Sequence, residues 1–225
     1  MIPATGARYT RVARLRAAHS YGLVLALIIV VFVFTSVAPN SPWGDSTLVL
    51  LESLTLVIAL WTSGVAQADS KISIGLIALA TASAVALLVF GGTFFQAVVL
   101  ILAGLLTLAT ILTVALGVID QGVANVRAVT GAVCVYVLIG LLFVYAYGVI
   151  AAVSSGDFFA QGTDGSRSLR LYFSFVTLAT LGYGDYTPAH ELGRTLAIVE
   201  ALFGQLYLVT VIALLVSRIS REPAA

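Results

Sequence analysis

Charged side chains are scarce in this chain: 9% of the residues are Asp, Glu, Lys or Arg, whereas soluble domains carry about 25%. Because 60% of the residues are hydrophobic, a soluble fold could not hide the apolar surface from water. The net charge of +1 gives no reason to expect nucleic acid or an acidic substrate as a partner. The composition therefore predicts an integral membrane protein.

Residues for disulfide, metal and catalytic chemistry are also few. The single cysteine, Cys134, cannot form an intrachain disulfide, and inside an apolar run we expect it to pack as a small hydrophobe. The two isolated histidines, His19 and His190, form no metal-ligand cluster with it. No set of titratable residues at reactive spacing appears within the apolar runs. We therefore expect no cofactor and no enzymatic activity.

Six apolar stretches are long enough to cross about 30 Å of hydrocarbon, which takes roughly 20 residues each. They lie near residues 20–38, 47–66, 72–91, 94–118, 131–153 and 194–217. Only Gly91, Gly92 and Thr93 separate the third stretch from the fourth, which predicts a tight antiparallel hairpin. The sequence thus predicts an all-α membrane protein with six transmembrane helices.

The distribution of basic residues favours one orientation in the membrane. With six crossings, eight Lys or Arg residues lie on the side of the N-terminus and three on the other side. We therefore expect a multi-pass cell-membrane protein with both termini in the cytoplasm and residues 1–20 as a cytoplasmic N-terminal segment. The alternative is that the basic head and first apolar run are a signal peptide, with a cleavage site at 36–38.

The region before the last span differs from the rest of the chain. Residues 154–170 are polar and rich in Gly and Ser, as an exposed loop should be. Residues 171–180 are apolar but only about half a span long, which predicts a re-entrant pore helix. Irregular backbone at membrane depth occurs only where it is buried in protein or lines a water-filled path. The segment TLGYGD at 180–185 therefore predicts a pore or a cavity.

This segment has the residues needed to replace the hydration shell of a cation. Successive carbonyls point to one axis only if alternate residues adopt left-handed backbone angles, which glycine reaches at little steric cost. Gly182 and Gly184, separated by Tyr183, meet that need. The Thr180 hydroxyl can add an oxygen at the inner end, and Asp185 places negative charge at the outer mouth.

The segment TLATLGYGD at 177–185 resembles the selectivity-filter signature of potassium channels. The resemblance implies a prokaryotic homotetrameric channel with a voltage-gated-channel-like pore that passes K⁺ passively. It implies K⁺ coordination by backbone oxygens of the filter, whose residues are Thr180, Leu181, Gly182, Tyr183 and Gly184. It also implies an inner-helix hinge and cavity, for which the candidate residues are Gly204, Gln205, Leu208 and Ile212.

Three residues depart from the family pattern. Leu181 stands where valine is commonest, Val176 where some members have a glutamate, and Tyr172 where a tryptophan is frequent. Because Val176 cannot support the filter mouth, we expect Asp185 to depend on Tyr172 or on water. Glu200 lies in the last apolar stretch. We expect it either to brace the pore helix through Ser174 or Thr177, or to point into a water-filled outer crevice.

The fourth span, residues 94–118, contains no Arg or Lys. A voltage sensor needs several such charges, because each contributes about 2.3 kcal/mol per 100 mV. We therefore expect residues 21–118 to form a four-helix membrane domain that resembles a voltage-sensor domain without gating charges. Little intrinsic voltage dependence should follow. Glu52 and Asp69 are interpreted as interfacial.

The remaining boundaries follow from the hydropathy pattern. Ile119, Val123 and Val126 recur at helical spacing, which predicts an interfacial linker helix over 119–130. The pore domain is placed at 131–221, with an outer helix 131–153, a loop 154–170, a pore helix 171–180, a filter 180–185 and an inner helix 194–219. Since four residues follow Arg221, we expect no cytoplasmic regulatory domain in this chain.

Two other functions are consistent with parts of the sequence. A weakly selective cation channel would result if Leu181 or altered support of Asp185 loosened the filter. A secondary transporter would need paired helix interruptions in two matching halves, and residues 1–120 contain no counterpart of TLGYGD. The partners that we expect are further copies of the chain and membrane lipid.

Overall fold

The computed structural model describes residues 21–63, 67–120 and 126–213. Within these ranges the chain forms helices, and the predicted all-α fold is confirmed. They are α1 (Gly22–Val37), α2 (Pro42–Ser63), α3 (Gln67–Phe90), α4 (Thr93–Asp120), α5 (Val126–Val153), α6 (Arg167–Leu178), α7 (Glu191–Tyr207) and a π-helical turn (Leu208–Ile212). Over the same ranges, β-pairing consists of isolated bridges from Phe159 to Thr163 and to Pro188.

Five helical stretches are long and apolar enough to cross a membrane. They are Pro42–Ser63, Lys71–Phe90, Thr93–Ile119, Arg127–Val153 and Glu191–Val211. The first predicted span corresponds to α1, a shorter apolar helix of 16 residues. The helix α6 has 12 residues and is too short to span. The chain is a multi-pass membrane protein; the predicted N-terminal segment, residues 1–20, lies outside the described residues.

Helices α1 to α4 form a bundle that packs against the outer helix α5 of the same chain, with α4 against α5 as the most extensive contact. Leu56 of α2, Leu106 of α4 and Tyr145 of α5 are buried in one apolar cluster at this junction. Because lipid tails are as apolar as these side chains, the bundle is held by close packing and internal hydrogen bonds more than by the hydrophobic effect. The bundle and the pore domain are thus joined along α4 and α5.

The connection between α3 and α4 is the tight hairpin that the sequence predicts. α3 ends at Phe90 and α4 begins at Thr93. Gly91 and Gly92 have φ values of 64° and 92°, a left-handed backbone that residues with a β-carbon rarely adopt. The two helices pack against each other.

The predicted linker helix over 119–130 is not a separate element in the described residues. Ile119 belongs to α4, which ends at Asp120, and residues 126–130 form the first turns of α5. No proline interrupts the pattern on either side, so each long helix simply continues. The outer helix consequently begins at Val126, five positions before the predicted 131. Residues 121–125, including Val123, lie outside the described residues.

Two polar contacts connect α2 to the pore domain. Glu52 is fully buried inside α2, and the Tyr145 hydroxyl of α5 donates to its Oε1 at 3.1 Å, so the interfacial interpretation of Glu52 is wrong. The side chain of Asp69 lies outside the description. Arg167 is also buried, at 3% exposure, and its Nη2 donates to Asp45 Oδ1 at 2.5 Å. Arg167 therefore does not lie in an exposed loop, because α6 begins there and turns it towards α2.

Candidate ion-conduction site

The pore helix α6 begins and ends earlier than predicted. Ser166 caps its N-terminus, because the Ser166 side chain accepts a hydrogen bond from the Leu169 amide at 3.0 Å. The helix therefore starts at Arg167, four positions before 171. It ends at Leu178 rather than 180, because Thr180 has φ 57°, which an α-helix cannot contain.

After α6 the backbone alternates between two conformations. Thr180, Gly182 and Gly184 have φ values of 57°, 55° and 77°, whereas Leu181 and Tyr183 between them do not have positive φ. A left-handed conformation costs a residue with a β-carbon about 1–2 kcal/mol, and Thr180 bears this cost. Hydrogen bonds fix the entry to this segment, since the amides of Thr180 and Leu181 donate to Thr177 O and Val176 O, both at 2.9 Å. Alternation of this kind turns successive carbonyls to one side.

Residues 180–185 are exposed in the single chain. Leu181 and Tyr183 are 59% and 67% exposed, respectively. This backbone is irregular, and the lipid interior cannot satisfy its free amides and carbonyls. At membrane depth the segment must therefore be buried in protein or line a water-filled path.

The Asp185 carboxylate at the end of this segment is held by the pore helix. The Tyr172 hydroxyl donates to Asp185 Oδ2 at 2.8 Å. The rings of Tyr172 and Tyr183 stack with centroids 6.4 Å apart and planes at 7°. Of the two supports considered for Asp185, the structure contains Tyr172. Val176 supports the segment through its backbone oxygen, which accepts from the Leu181 amide and, at 3.3 Å, from the Gly182 amide.

Backbone hydrogen bonds with residues 158–160, which the sequence did not predict, hold the segment after Asp185 in place. The Ala160 amide donates to Thr187 O and the Ala189 amide to Phe158 O, both at 2.8 Å. Phe158 and Phe159 are buried against an aromatic cluster that includes Phe173 and Tyr147. In the sequence, the adjacent Phe158 and Phe159 in an otherwise polar loop were the signal that could have predicted these contacts.

Glu200 of α7 is fully buried behind the pore helix. Ser174 Oγ lies 2.5 Å from Glu200 Oε1 and 2.8 Å from Gly140 O of α5. The Tyr147 hydroxyl of α5 donates to Glu200 Oε2 at 2.5 Å. The structure therefore joins Glu200 to Ser174, not to Thr177, and its burial excludes a water-filled crevice in this chain.

These hydrogen bonds can be counted proton by proton. Ser174 has one hydroxyl proton but two acceptors within reach, Gly140 O and Glu200 Oε1. All contacts are satisfied if Tyr147 donates to Glu200, a protonated Glu200 donates to Ser174, and Ser174 donates to Gly140. A neutral carboxylic acid also avoids burying a charge without a cationic partner.

Gly204 permits a close approach of the inner helix to the pore helix. A β-carbon at Gly204 would lie 2.2 Å from Leu178 O, so any other residue would push the two helices apart. Gly204 was expected at the hinge and cavity of the inner helix. The position where its side chain would begin instead faces Leu178 of the same chain and not a cavity. The backbone stays α-helical through Gly204 and changes at the π-helical turn, Leu208–Ile212.

The other inner-helix candidates are exposed or undescribed. Gln205 and Leu208 are exposed in the single chain, and the side chain of Ile212 lies outside the description. The helix begins at Glu191, not 194, and is described to Ala213, so its predicted end at 219 lies outside the described residues. The Tyr207 hydroxyl donates to Ala132 O at 2.8 Å, which ties the inner helix to α5 just before the π-helical turn.

A short re-entrant helix, an alternating backbone and a following inner helix together define an ion-channel pore domain. In agreement, residues 132–221 match the family model described as "Ion channel".

Two curated proteins are similar to part of this chain. The inward rectifier potassium channel Kirbac3.1 of Paramagnetospirillum magnetotacticum is 35% identical over 89 residues, which cover 40% of this chain and 28% of that protein. The probable potassium channel protein 2 of Methanocaldococcus jannaschii is 41% identical over 78 residues, or 33% of this chain and 20% of that protein. The matched regions therefore span less than a third of either relative. These matches confirm the resemblance to prokaryotic potassium channels, and no solved structure matches the chain significantly.

Proposed function

We propose that this chain is the subunit of a K⁺-selective channel, in which four copies each contribute one filter strand to a central pore. The observation that carries the proposal is the left-handed backbone at Thr180, Gly182 and Gly184, alternating with Leu181 and Tyr183. Four such strands around one axis form rings of oxygens that replace the hydration shell of K⁺. K⁺ is the transported ion and moves down its electrochemical gradient.

Each part of the strand has a role in this proposal. The backbone oxygens of Thr180, Leu181, Gly182 and Tyr183 coordinate K⁺, and the conformation of Gly184 allows the chain to leave the filter. Asp185, held by Tyr172, attracts cations to the outer mouth. The partly negative C-terminal end of α6 favours cations in the cavity below.

The exposure of the filter strand supports the proposed assembly into a homotetramer. Residues 180–184 combine exposed side chains with irregular backbone, which lipid cannot solvate. A closed ring of identical subunits buries all of these strands on one axis and leaves none facing lipid. In that ring Gln205 and Leu208 line the inner cavity.

The orientation and voltage response complete the proposal. With both termini in the cytoplasm of a cell-membrane protein, Asp185 faces the outside. The helix α4, Thr93–Asp120, contains no Arg or Lys, so opening has little intrinsic voltage dependence. The π-helical turn after Tyr207 is the flexible point of the inner helix, since π-helical turns often occur at functional sites.

The first experiment is ion flux into liposomes that contain the purified protein, comparing K⁺ with Na⁺ and testing block by Ba²⁺. Gly182→Ala is the test variant, because a β-carbon at φ 55° costs about 1–2 kcal/mol in each copy. Gly75→Ala is the matched control, since an added β-carbon there meets no atom within 4 Å and the backbone is helical.

We expect Ba²⁺-sensitive flux that prefers K⁺, that is lost in Gly182→Ala and that is retained in Gly75→Ala. Equal K⁺ and Na⁺ flux would preserve the pore but refute K⁺ selectivity, leaving the weakly selective cation channel. Selective flux that survives Gly182→Ala unchanged would refute the assignment of this strand as the filter.

A further inference from the structure

A polar pocket lies at the outer end of the chain, between the four-helix bundle and the pore domain. Its volume is about 490 Å³, and its lining includes the N-terminal turns of α2, α4 and α6 together with the last turns of α5. The charged side chains in this lining are Asp45, Asp164, Arg167 and Arg170, and the neutral polar ones are Asn40, Thr93, Gln96 and Ser166. We call it the outer pocket.

Two arginines of the outer pocket have buried donors without partners among the described residues. Arg167 is 3% exposed and pairs with Asp45 through Nη2, but its Nη1 has no hydrogen-bond acceptor in the described part of the chain. Arg170 Nη1 donates to the backbone oxygens of Asp164 and Gly165, but its buried Nε is likewise unpartnered there. A buried donor left unpaired lowers the stability of the fold, and does so more strongly when it is charged.

The electrostatics of the pocket favour an additional acceptor. Burial, followed by repulsion from Arg167, lowers the pKa of the Arg170 guanidinium, while Asp45 and Asp164 oppose this shift. The nearby carboxylates already have partners, since Asp45 accepts from Arg167 and Asp164 Oδ1 accepts from the Phe158 amide. Each of the two guanidinium groups therefore still has one buried donor without an acceptor among the described residues.

We propose that the outer pocket binds a singly charged phosphate group through Arg167 Nη1 and Arg170 Nε. Guanidinium groups suit phosphate, because their planar, fixed set of N–H donors matches several phosphate oxygens at once. Gln96 and Thr93 on the opposite wall offer further donors. The two arginines and two aspartates of the pocket balance in formal charge, so a phosphodiester with one negative charge adds less unbalanced charge than a doubly charged phosphate.

The position of the pocket indicates the source of the group. The spanning helices α2 and α4 begin at its rim, at Pro42 and Thr93, so the pocket lies at the level where spans leave the hydrocarbon. Phospholipid headgroups occupy this level, and free phosphate reaches it from water. Both sources present the same chemistry, and the test distinguishes them.

The test measures the thermal midpoint of the purified full chain in neutral detergent. Short-chain phosphatidylglycerol, phosphatidylcholine or sodium phosphate is added, with sodium chloride at equal ionic strength as the reference. Arg170→Gln replaces the charged guanidinium, including its Nε donor, with a neutral amide, and Ala152→Phe fills the pocket without changing its charge. Arg194→Gln is the control, since it removes another arginine of the same side, one that donates to Pro188 O and Ala189 O outside the pocket. Arg167 is not substituted, because its loss would leave the buried Asp45 carboxylate without its hydrogen-bonded partner.

We expect phosphatidylglycerol to raise the midpoint of the wild-type chain and of Arg194→Gln, with an apparent affinity about tenfold weaker in Arg170→Gln, equivalent to the loss of about 1.4 kcal/mol. Ala152→Phe should show no rise. The same pattern with phosphatidylcholine or sodium phosphate supports the site and identifies any phosphodiester or free phosphate as its ligand. No rise with any of the three additives, or a rise unchanged in both Arg170→Gln and Ala152→Phe, would overturn the proposal.

Discussion

The hydrogen bond between Tyr147 and Glu200 should stabilise the packing of the inner helix behind the pore helix. Glu200→Leu keeps a similar side-chain volume but leaves the buried Tyr147 hydroxyl without an acceptor. Tyr147→Phe removes the donor and leaves Glu200 Oε2 without a partner. Ser174 retains Gly140 O as an acceptor in both variants.

The size of each effect follows from these orphaned groups. A buried polar group left unpaired costs about 1–3 kcal/mol, so each single variant should lose that much stability per chain. The double variant removes both partners and should cost far less than the sum, because matched apolar replacements are nearly neutral. The expected coupling lies within the range of about 0.5–3 kcal/mol for residues in contact. Glu200→Gln should cost little, because an amide can accept from Tyr147 and donate to Ser174.

The assay is denaturant or thermal unfolding of the purified protein in detergent for all four variants, with K⁺ flux measured in parallel. Gly75→Ala is the control, since an added β-carbon there meets no atom within 4 Å. Strict additivity of Tyr147→Phe and Glu200→Leu would refute the network. A loss in Glu200→Gln as large as that in Glu200→Leu would refute the protonated state.

Three further changes test other contacts. Gly204→Ala should destabilise the fold by about 1–3 kcal/mol relative to Gly75→Ala, because its β-carbon would overlap Leu178 O at 2.2 Å; equal unfolding midpoints would contradict this. Tyr172→Phe should leave K⁺ selectivity intact but shorten sustained flux, since Asp185 loses its hydroxyl donor, and flux identical to wild type over time would show that water replaces it. Asp45→Ala should cost about 3–5 kcal/mol by leaving Arg167 buried and unpaired, whereas Asp45→Leu with Arg167→Met should recover most of the midpoint; no recovery would mean that the charges are needed for more than each other.

The sequence was sufficient to predict the short helix α6 and the left-handed glycines after it, because these features depend on local residues. The left-handed positions at Gly182 and Gly184 follow from residue type, and the short pore helix follows from the length of the apolar run before them. Thr180 was expected only as an oxygen donor. Its left-handed backbone was not predictable, because it is imposed by hydrogen bonds to Thr177 and Val176 rather than by its own preference.

The partners of buried polar residues were less predictable. Glu52 lies in a helix that is apolar on nearly all faces, so hydropathy could not tell whether its side chain points to lipid, to the interface or to Tyr145. The Asp45–Arg167 pair joins residues 122 positions apart, and no local pattern connects them. Glu200 was recognised as a residue that should face protein or water, and Ser174 was one of its two candidate partners, but Tyr147 on another helix was not anticipated.

Only five residues, 121–125, separate α4 from α5, and these two helices pack against each other. The four-helix bundle therefore contacts the pore domain of its own chain, through Asp45 and Arg167 of the pore helix and through Glu52 and Tyr145 of the outer helix α5. In the proposed homotetramer, a defect in one bundle should stay with the copy that carries it. The K⁺ flux of such a tetramer should fall in equal steps as defective copies are added, and a single defective copy should not abolish it.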